Sequence, residues 1–213
     1  MGQLPNPAND AGAMAQALGA LGFQVTLVKN ADQKSMKRAI SDFGQRLAKA
    51  GPGSTGLFFY AGHGIQAKGI NYLIPTDANI QTQADVDLEA VGADTVLEQM
   101  EEAGASTNIV ILDACRNMPI VRGFRSPTRG LAPMDAPNGS FIAYSTAPGS
   151  VAADGAGANS PFVTALVKNL GRKGESIESI FRDVRREVLT TTDGTQTPWD
   201  SSSLIQPFYF AGQ

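Results

Sequence analysis

The sequence predicts an α/β fold, a mostly parallel sheet with helices on both faces. Three observations lead there. Segments of helical and strand periodicity alternate along the chain. Two short runs, Gly56-Leu57-Phe58-Phe59-Tyr60-Ala61 and Asn108-Ile109-Val110-Ile111-Leu112-Asp113, are almost continuously apolar, as strands covered on both faces are. The chain has 213 residues, 42% hydrophobic and 17% charged, which suits a single domain over 1–213 with a sizeable core.

Asn6-Pro7 opens the first helix, with Asn as cap and Pro at the first helical position. Met14, Leu18 and Leu21 follow at helical spacing, and Gly22 ends it. Residues 23–28 alternate like a strand. Asp32 caps a second helix whose inner face is Met36, Ile40, Phe43 and Leu47. Gly51-Pro52-Gly53 breaks the chain before the first apolar run, and residues 70–74 read as part of a small hairpin. A helix over 91–103 ends at Gly104, and the second apolar run leads into Ala114-Cys115. From 116 to 138 the composition turns to Arg, Pro, Gly and Ser without periodicity, the mark of a long surface loop or linker. A strand resumes at 140–145, Ser160-Pro161 starts another helix, and Ile177, Ile180, Val184 and Val188 mark the inner face of a further one. Phe208-Tyr209-Phe210 reads as a last strand.

Net charge is −3 with no basic block, so no nucleic-acid partner is expected. No apolar run approaches the roughly 20 residues of a membrane helix, and no secretory signal opens the chain; a cytoplasmic location away from membranes is expected. One cysteine and one histidine exclude an internal disulfide and a Cys/His-only zinc site. Any thiol chemistry therefore belongs to Cys115, and any imidazole assistance to His63.

Both residues lie just beyond the C-terminal end of a predicted buried strand, where open α/β sheets bind ligands. A free thiol, with pKa about 8.5, is mostly protonated at neutral pH, and an imidazole of pKa about 6.5 can accept its proton or pass one to a leaving amine. The glycines around His63 in Tyr60-Ala61-Gly62-His63-Gly64 let backbone approach a ligand, and the amides of Gly64 and Cys115 are candidates to hold an oxyanion. Taken singly, a lone cysteine is more often a small core hydrophobe, and a histidine between glycines serves equally as a structural hydrogen-bonding group.

The pair gains its meaning from a resemblance. The runs 57–64 and 109–117, the segment Ala143-Tyr144-Ser145-Thr146-Ala147-Pro148-Gly149 and the opening Leu4-Pro5-Asn6-Pro7-Ala8-Asn9-Asp10-Ala11 resemble the caspase-like cysteine peptidases (peptidase family C14). They are closest to the bacterial members related to metacaspases, the orthocaspases. His63 precedes Cys115 by 52 positions, and the sequence reads Asp-Ala-Cys-Arg-Asn; the caspase signature is Gln-Ala-Cys with its histidine about 50 residues upstream. The resemblance implies a three-layer α/β/α sandwich. Residues up to about 115 would form the large-subunit-like half, about 116–138 the linker, and about 139–213 the small-subunit-like half. It makes Cys115 the nucleophile, His63 the general acid/base, and the amides of Gly64 and Cys115 the oxyanion hole.

Two departures from caspases bear on specificity. Asp113 replaces the glutamine two positions before the nucleophile, and Asp154 aligns where caspases carry an arginine that grips an acidic P1 side chain. Metacaspases also carry an acid before the nucleophile and cleave after Arg or Lys. The expectation is an endopeptidase for protein or peptide substrates with a basic P1 residue, since paired carboxylates suit a guanidinium or ammonium. Val151, Ala152, Ala153 and Asp154 would pair with the substrate backbone as an added strand. Arg122, Arg125 and Arg129 lie in the linker, where caspases are cut during maturation, and Arg125 and Arg129 are the candidates for self-cleavage.

Family members also begin with an apolar strand just before the Pro-Asn-Pro segment. Here it is absent, so neighbouring strand edges are expected to be open. No cofactor is required on this reading. Calcium, which many metacaspases need, stays open as an activator; Asp85, Asp87 and Glu89 form an acidic cluster without EF-hand spacing. The resemblance does not decide oligomeric state. A catalytically idle caspase-like binding or scaffold domain is the rival reading. An unrelated hydrolase is disfavoured because no Gly-x-Cys-x-Gly elbow surrounds Cys115.

Overall fold

The computed structural model describes residues 4–115, 130–150, 152–155 and 157–212. The described helices are α1 (Pro7–Ala20), α2 (Gln33–Ala50), α3 (Gln83–Glu89), α4 (Asp94–Ala103), α5 (Pro161–Leu170) and α6 (Ile177–Thr191). The strands are β1 (Thr55–Ala67), β2 (Ile70–Leu73), β3 (Val91–Gly92), β4 (Thr107–Cys115), β5 (Ser140–Tyr144) and β6 (Trp199–Ser202). They form one sheet in the order β3-β2-β1-β4-β5-β6. Its centre, β1-β4-β5, is parallel, and antiparallel strands flank it on both sides.

Because both faces of the central strands are apolar, the sheet must be covered twice. Ile109, Ile111, Phe141 and Ala143 pack under α1, α5 and α6, where Phe181 stacks at 4.9 Å on Phe141. Their alternates, Val110, Leu112, Ala114, Ile142 and Tyr144, pack under α2 and α4. This is the three-layer sandwich the sequence predicts. Helix starts follow the capping residues: Asp32 accepts the Ser35 N–H at 2.6 Å, and Ser160 and Ser176 cap α5 and α6. α3, opened by a Thr82/Asp85 capping box, carries the acidic cluster Asp85, Asp87 and Glu89, for which the sequence offered no element.

Four expectations are corrected. Residues 23–28 are not a strand. Among the described residues, no backbone group of 24–29 bonds to another backbone group, and Val25, Leu27 and Val28 are exposed. Among the described strands, residues 55–62 of β1 pair only with β4, because the hairpin to β2 begins at Gly64. The alternation was real, but no neighbouring strand receives it. The last strand is β6 rather than 208–210, which makes only a single bridge from Tyr209 to Ser176; the polar Asp200, Ser201 and Ser202 hid an edge strand. The predicted helix at 91–103 opens with two strand residues, Val91 and Gly92.

The fourth concerns the linker, whose described end is no surface loop. Leu131 and Met134 are buried beneath the α2/α4 layer. The buried Asn71 amide bonds both the N–H and the C=O of Ala132, at 2.7 and 2.8 Å, doing for this segment what a neighbouring strand does for a ladder.

Candidate active site

β1 and β4 run parallel and in register, so His63 and Cys115 are the last pair of their ladder, where neighbouring chains lie about 4.8 Å apart. Cys115 ends β4, but His63 lies within β1 rather than beyond its end as the sequence suggests, because β1 continues to Ala67 in its hairpin with β2. The His63 backbone is held from beneath. Its carbonyl accepts from the Tyr60 hydroxyl at 2.7 Å and from the Ile74 N–H at 3.1 Å. Tyr60 folds back so closely that a Cβ on Gly62 would lie 2.6 Å from its hydroxyl. A Cβ on Gly64 would lie 2.9 Å from the Ala114 Cβ. Glycines therefore flank His63 because the chain packs too tightly for any side chain there.

Asp113, two residues before Cys115, is buried at 3% exposure. Its Oδ2 accepts from the Ser160 hydroxyl at 2.6 Å, while its Oδ1 is buried with no hydrogen bond within 3.5 Å among the described residues. Burial pushes this carboxyl up to about 6; Ser160 and Ser145 pull it down, and Asp10 and Asp154 push it further up. Asp10, on α1, is 1% exposed and accepts from Asn159 Nδ2 at 2.8 Å and from the Ser160 N–H at 3.0 Å. It too is raised, by burial first and by Asp154 last. Asp154 is half-buried, with Oδ2 enclosed and without a hydrogen-bond partner among the described residues. Burial raises its carboxyl, and the nearby His63 imidazole lowers it. Three carboxyl groups thus meet at the C-terminal end of β4. None takes part in an ion pair among the described residues.

Such a constellation, one cysteine and one histidine in register beside clustered acids, sits on a chain that matches the caspase-domain family (peptidase C14) over residues 1–209. The chain belongs to this family of cysteine peptidases. It is also 28% identical, over 114 residues, to the human protein named mucosa-associated lymphoid tissue lymphoma translocation protein 1, and equally to its mouse homologue. That stretch is 54% of this chain and 13% of each relative, so the comparison spans a small part of those proteins.

The caspase domain brings Asp113 and Asp154 together as the sequence suggests, and adds Asp10, which sequence reasoning quoted without a role. A signal was available: Asp10 continues the buried Met14 and Leu18 stripe of α1 at four-residue spacing, and an acid on an apolar stripe calls for an explanation. Asn6 begins α1 as expected, but its side chain makes no cap bond and donates instead to the Asp154 carbonyl at 2.6 Å. Ala152 is buried and Ala153 exposed. Val151, Arg122, Arg125 and Arg129 lie outside the described residues.

The acids suggested as a calcium cluster are each engaged locally. Asp85 accepts the Gln81 and Thr82 N–H groups, Asp87 accepts from the Tyr72 hydroxyl and Lys68, and Glu89 accepts the Asn79 N–H. No helix among the described residues is long and apolar enough to cross a membrane.

Proposed function

We propose that this caspase domain is a cysteine endopeptidase that cleaves after Arg or Lys. The observation that supports it best is the convergence of three carboxyl groups, two of them with an enclosed oxygen that has no hydrogen-bond partner among the described residues, beside the His63–Cys115 register pair. Acids crowded in this way raise one another's pKa and cost stability, a cost that a guanidinium or ammonium from a substrate offsets with charge-assisted bonds. An aspartate side chain meets only repulsion there.

In the proposed reaction, His63 takes the Cys115 thiol proton and the thiolate attacks the carbonyl carbon of the basic residue. The resulting oxyanion is received by the amides of Gly64 and Cys115. Collapse of the tetrahedral intermediate breaks the C–N bond as His63 gives the proton to the leaving amine, leaving a thioester on Cys115. Water, deprotonated by His63, then attacks the thioester; acid is released and the thiol regenerated. Asp10, Asp113 and Asp154 bind the P1 side chain, and residues 151–154 lie alongside the substrate backbone. Arg125 and Arg129 are the proposed self-cleavage points. Intact mass after prolonged incubation beside Cys115→Ala tests this, and an uncut wild-type chain overturns it.

That residues 55–62 of β1 pair with β4 alone among the described strands is the observation that favours an idle, partner-binding domain instead. Fluorogenic peptides ending in Arg, Lys or Asp, assayed with and without calcium beside Cys115→Ala, separate the readings. Turnover after Arg and Lys that the mutation abolishes is expected. Equal or better turnover after Asp sinks the specificity, and silence on every peptide favours the idle domain.

A further inference from the structure

The segment carrying Asp154 connects β5 to α5, and its described residues have no ladder partner among the described strands. Two buried amide side chains from distant parts of the sequence take hold of it. Gln196, 1% exposed, lies between α6 and β6; its Oε1 accepts the Ala153 N–H at 3.0 Å, and its Nε2 donates to the Ser145 carbonyl at 2.7 Å. Ser145 in turn donates its N–H to Leu112 at 2.9 Å, so Gln196 ties the segment to the central strands. From the other side Asn6, 3% exposed, donates to the Asp154 carbonyl. Asn6 occupies a helix N-cap position, where its side chain ordinarily bonds the helix's own N–H groups; here it bonds the neighbouring segment.

The two amides thus hold consecutive residues, 153 by Gln196 and 154 by Asn6, and the second of these bears a carboxyl of the acidic cluster. Amide side chains suit this place because each supplies a donor or an acceptor as needed without adding charge to an already crowded set of acids. We infer that Asn6 and Gln196 are positioning residues, a two-sided latch that sets the distance of Asp154 from Asp113 and thereby the grip on a basic P1 side chain. The latch rests on the Arg/Lys reading proposed above. It acts on binding of the cationic side chain and leaves the His63–Cys115 pair, held by β1 and β4, untouched.

The test is steady-state kinetics of wild type, Asn6→Ala and Gln196→Met on peptides ending in Arg and in uncharged Gln. The rate of Cys115 alkylation by iodoacetamide is read alongside by intact mass. A lost buried hydrogen bond to this segment is expected to raise KM for the Arg peptide about tenfold, with kcat changed less than about twofold. Preference for Arg over Gln falls by the same factor, and alkylation is unchanged. Asn6→Ser, gentler on packing but too short to reach the Asp154 carbonyl, is expected to show the same KM shift should Asn6→Ala fold poorly. An unchanged KM overturns the latch while leaving the Arg reading intact. A parallel fall of kcat and alkylation in the variants overturns it in favour of general support of the fold. A wild-type chain with no turnover after Arg or Lys overturns the specificity reading and the latch with it.

Discussion

Acidic side chains on the periphery of this caspase domain and those at the end of β4 live under opposite conditions. Asp85 receives the Gln81 and Thr82 N–H groups, and Asp183 receives Arg172 and Arg186. Both are held below the usual carboxylate value, chiefly by these hydrogen bonds. Asp10, Asp113 and Asp154 form no ion pair with a lysine or arginine among the described residues and have one another for company; burial raises all three, and the His63 imidazole offsets it in part at Asp154. Peripheral acids stabilise a helix start or a helix pair. The inner three make the fold less stable than it could be, and a group that costs stability where a neutral one would fit points toward function.

The largest effect expected from this contrast is at Asp113. Asp113→Asn keeps an acceptor for Ser160 and removes a charge. It is expected to lower kcat/KM for Arg and Lys peptides by about a hundredfold or more, the scale of losing one partner of a desolvated charge pair. The same change is expected to stabilise the free protein at pH 8 by up to about 3 kcal/mol, the cost of ionising a carboxyl raised from 3.8 to about 6, read from denaturant midpoints. A variant that loses both activity and stability would assign Asp113 to structure alone.

Next in size is the pH dependence. Asp113 binds its proton more tightly folded than unfolded, so between about pH 4 and 6 the folded state holds more protons. Its contribution to stability therefore falls as pH rises through that window, and the penalty is fully present above about 6. Binding of a basic P1 group runs the other way and is expected to strengthen as pH rises through about 6, seen as a falling KM for the Arg peptide that Asp113→Asn flattens.

Asp10→Asn is expected to be milder, raising KM for the Arg peptide about tenfold, because its Oδ1 already accepts two hydrogen bonds. The smallest effect belongs to Asp85→Ala. It removes one half of the α3 capping box and is expected to lower Tm by a few degrees at most, with kcat/KM unchanged. Asp85 is held low, so its contribution is present above pH 3.8 and disappears as pH falls through its depressed value.

Much of the layered fold was legible because periodicity reports burial directly. Val110 and Leu112 face one layer while Ile109 and Ile111 face the other, and the unbroken apolar run says so. What escaped had its cause elsewhere in the chain. Residues 23–28 alternate like a strand, but a strand exists only with a neighbour. Leu131 and Met134 stand in a Pro- and Gly-rich stretch, and their burial depends on Asn71, some sixty positions away, which satisfies Ala132, and on the Tyr144 hydroxyl, which accepts the Met134 N–H. In the site, the register of His63 with Cys115 followed from two apolar runs of matched length, although β1 continues past His63 to Ala67 and only Cys115 ends its strand. Asp10, Asn6 and Gln196 could not be placed in this way, because their partners at 153, 154, 159 and 160 are over 40 positions distant or more.

The most direct test is covalent capture. Intact mass and peptide mapping are read after brief exposure to matched peptidyl chloromethyl ketones ending in Arg or in Asp. A single adduct on Cys115 from the Arg reagent, slowed by Asp113→Asn and scarcely formed by the Asp reagent, is the predicted result. Equal labelling by both reagents, or an adduct on a residue other than Cys115, would contradict it.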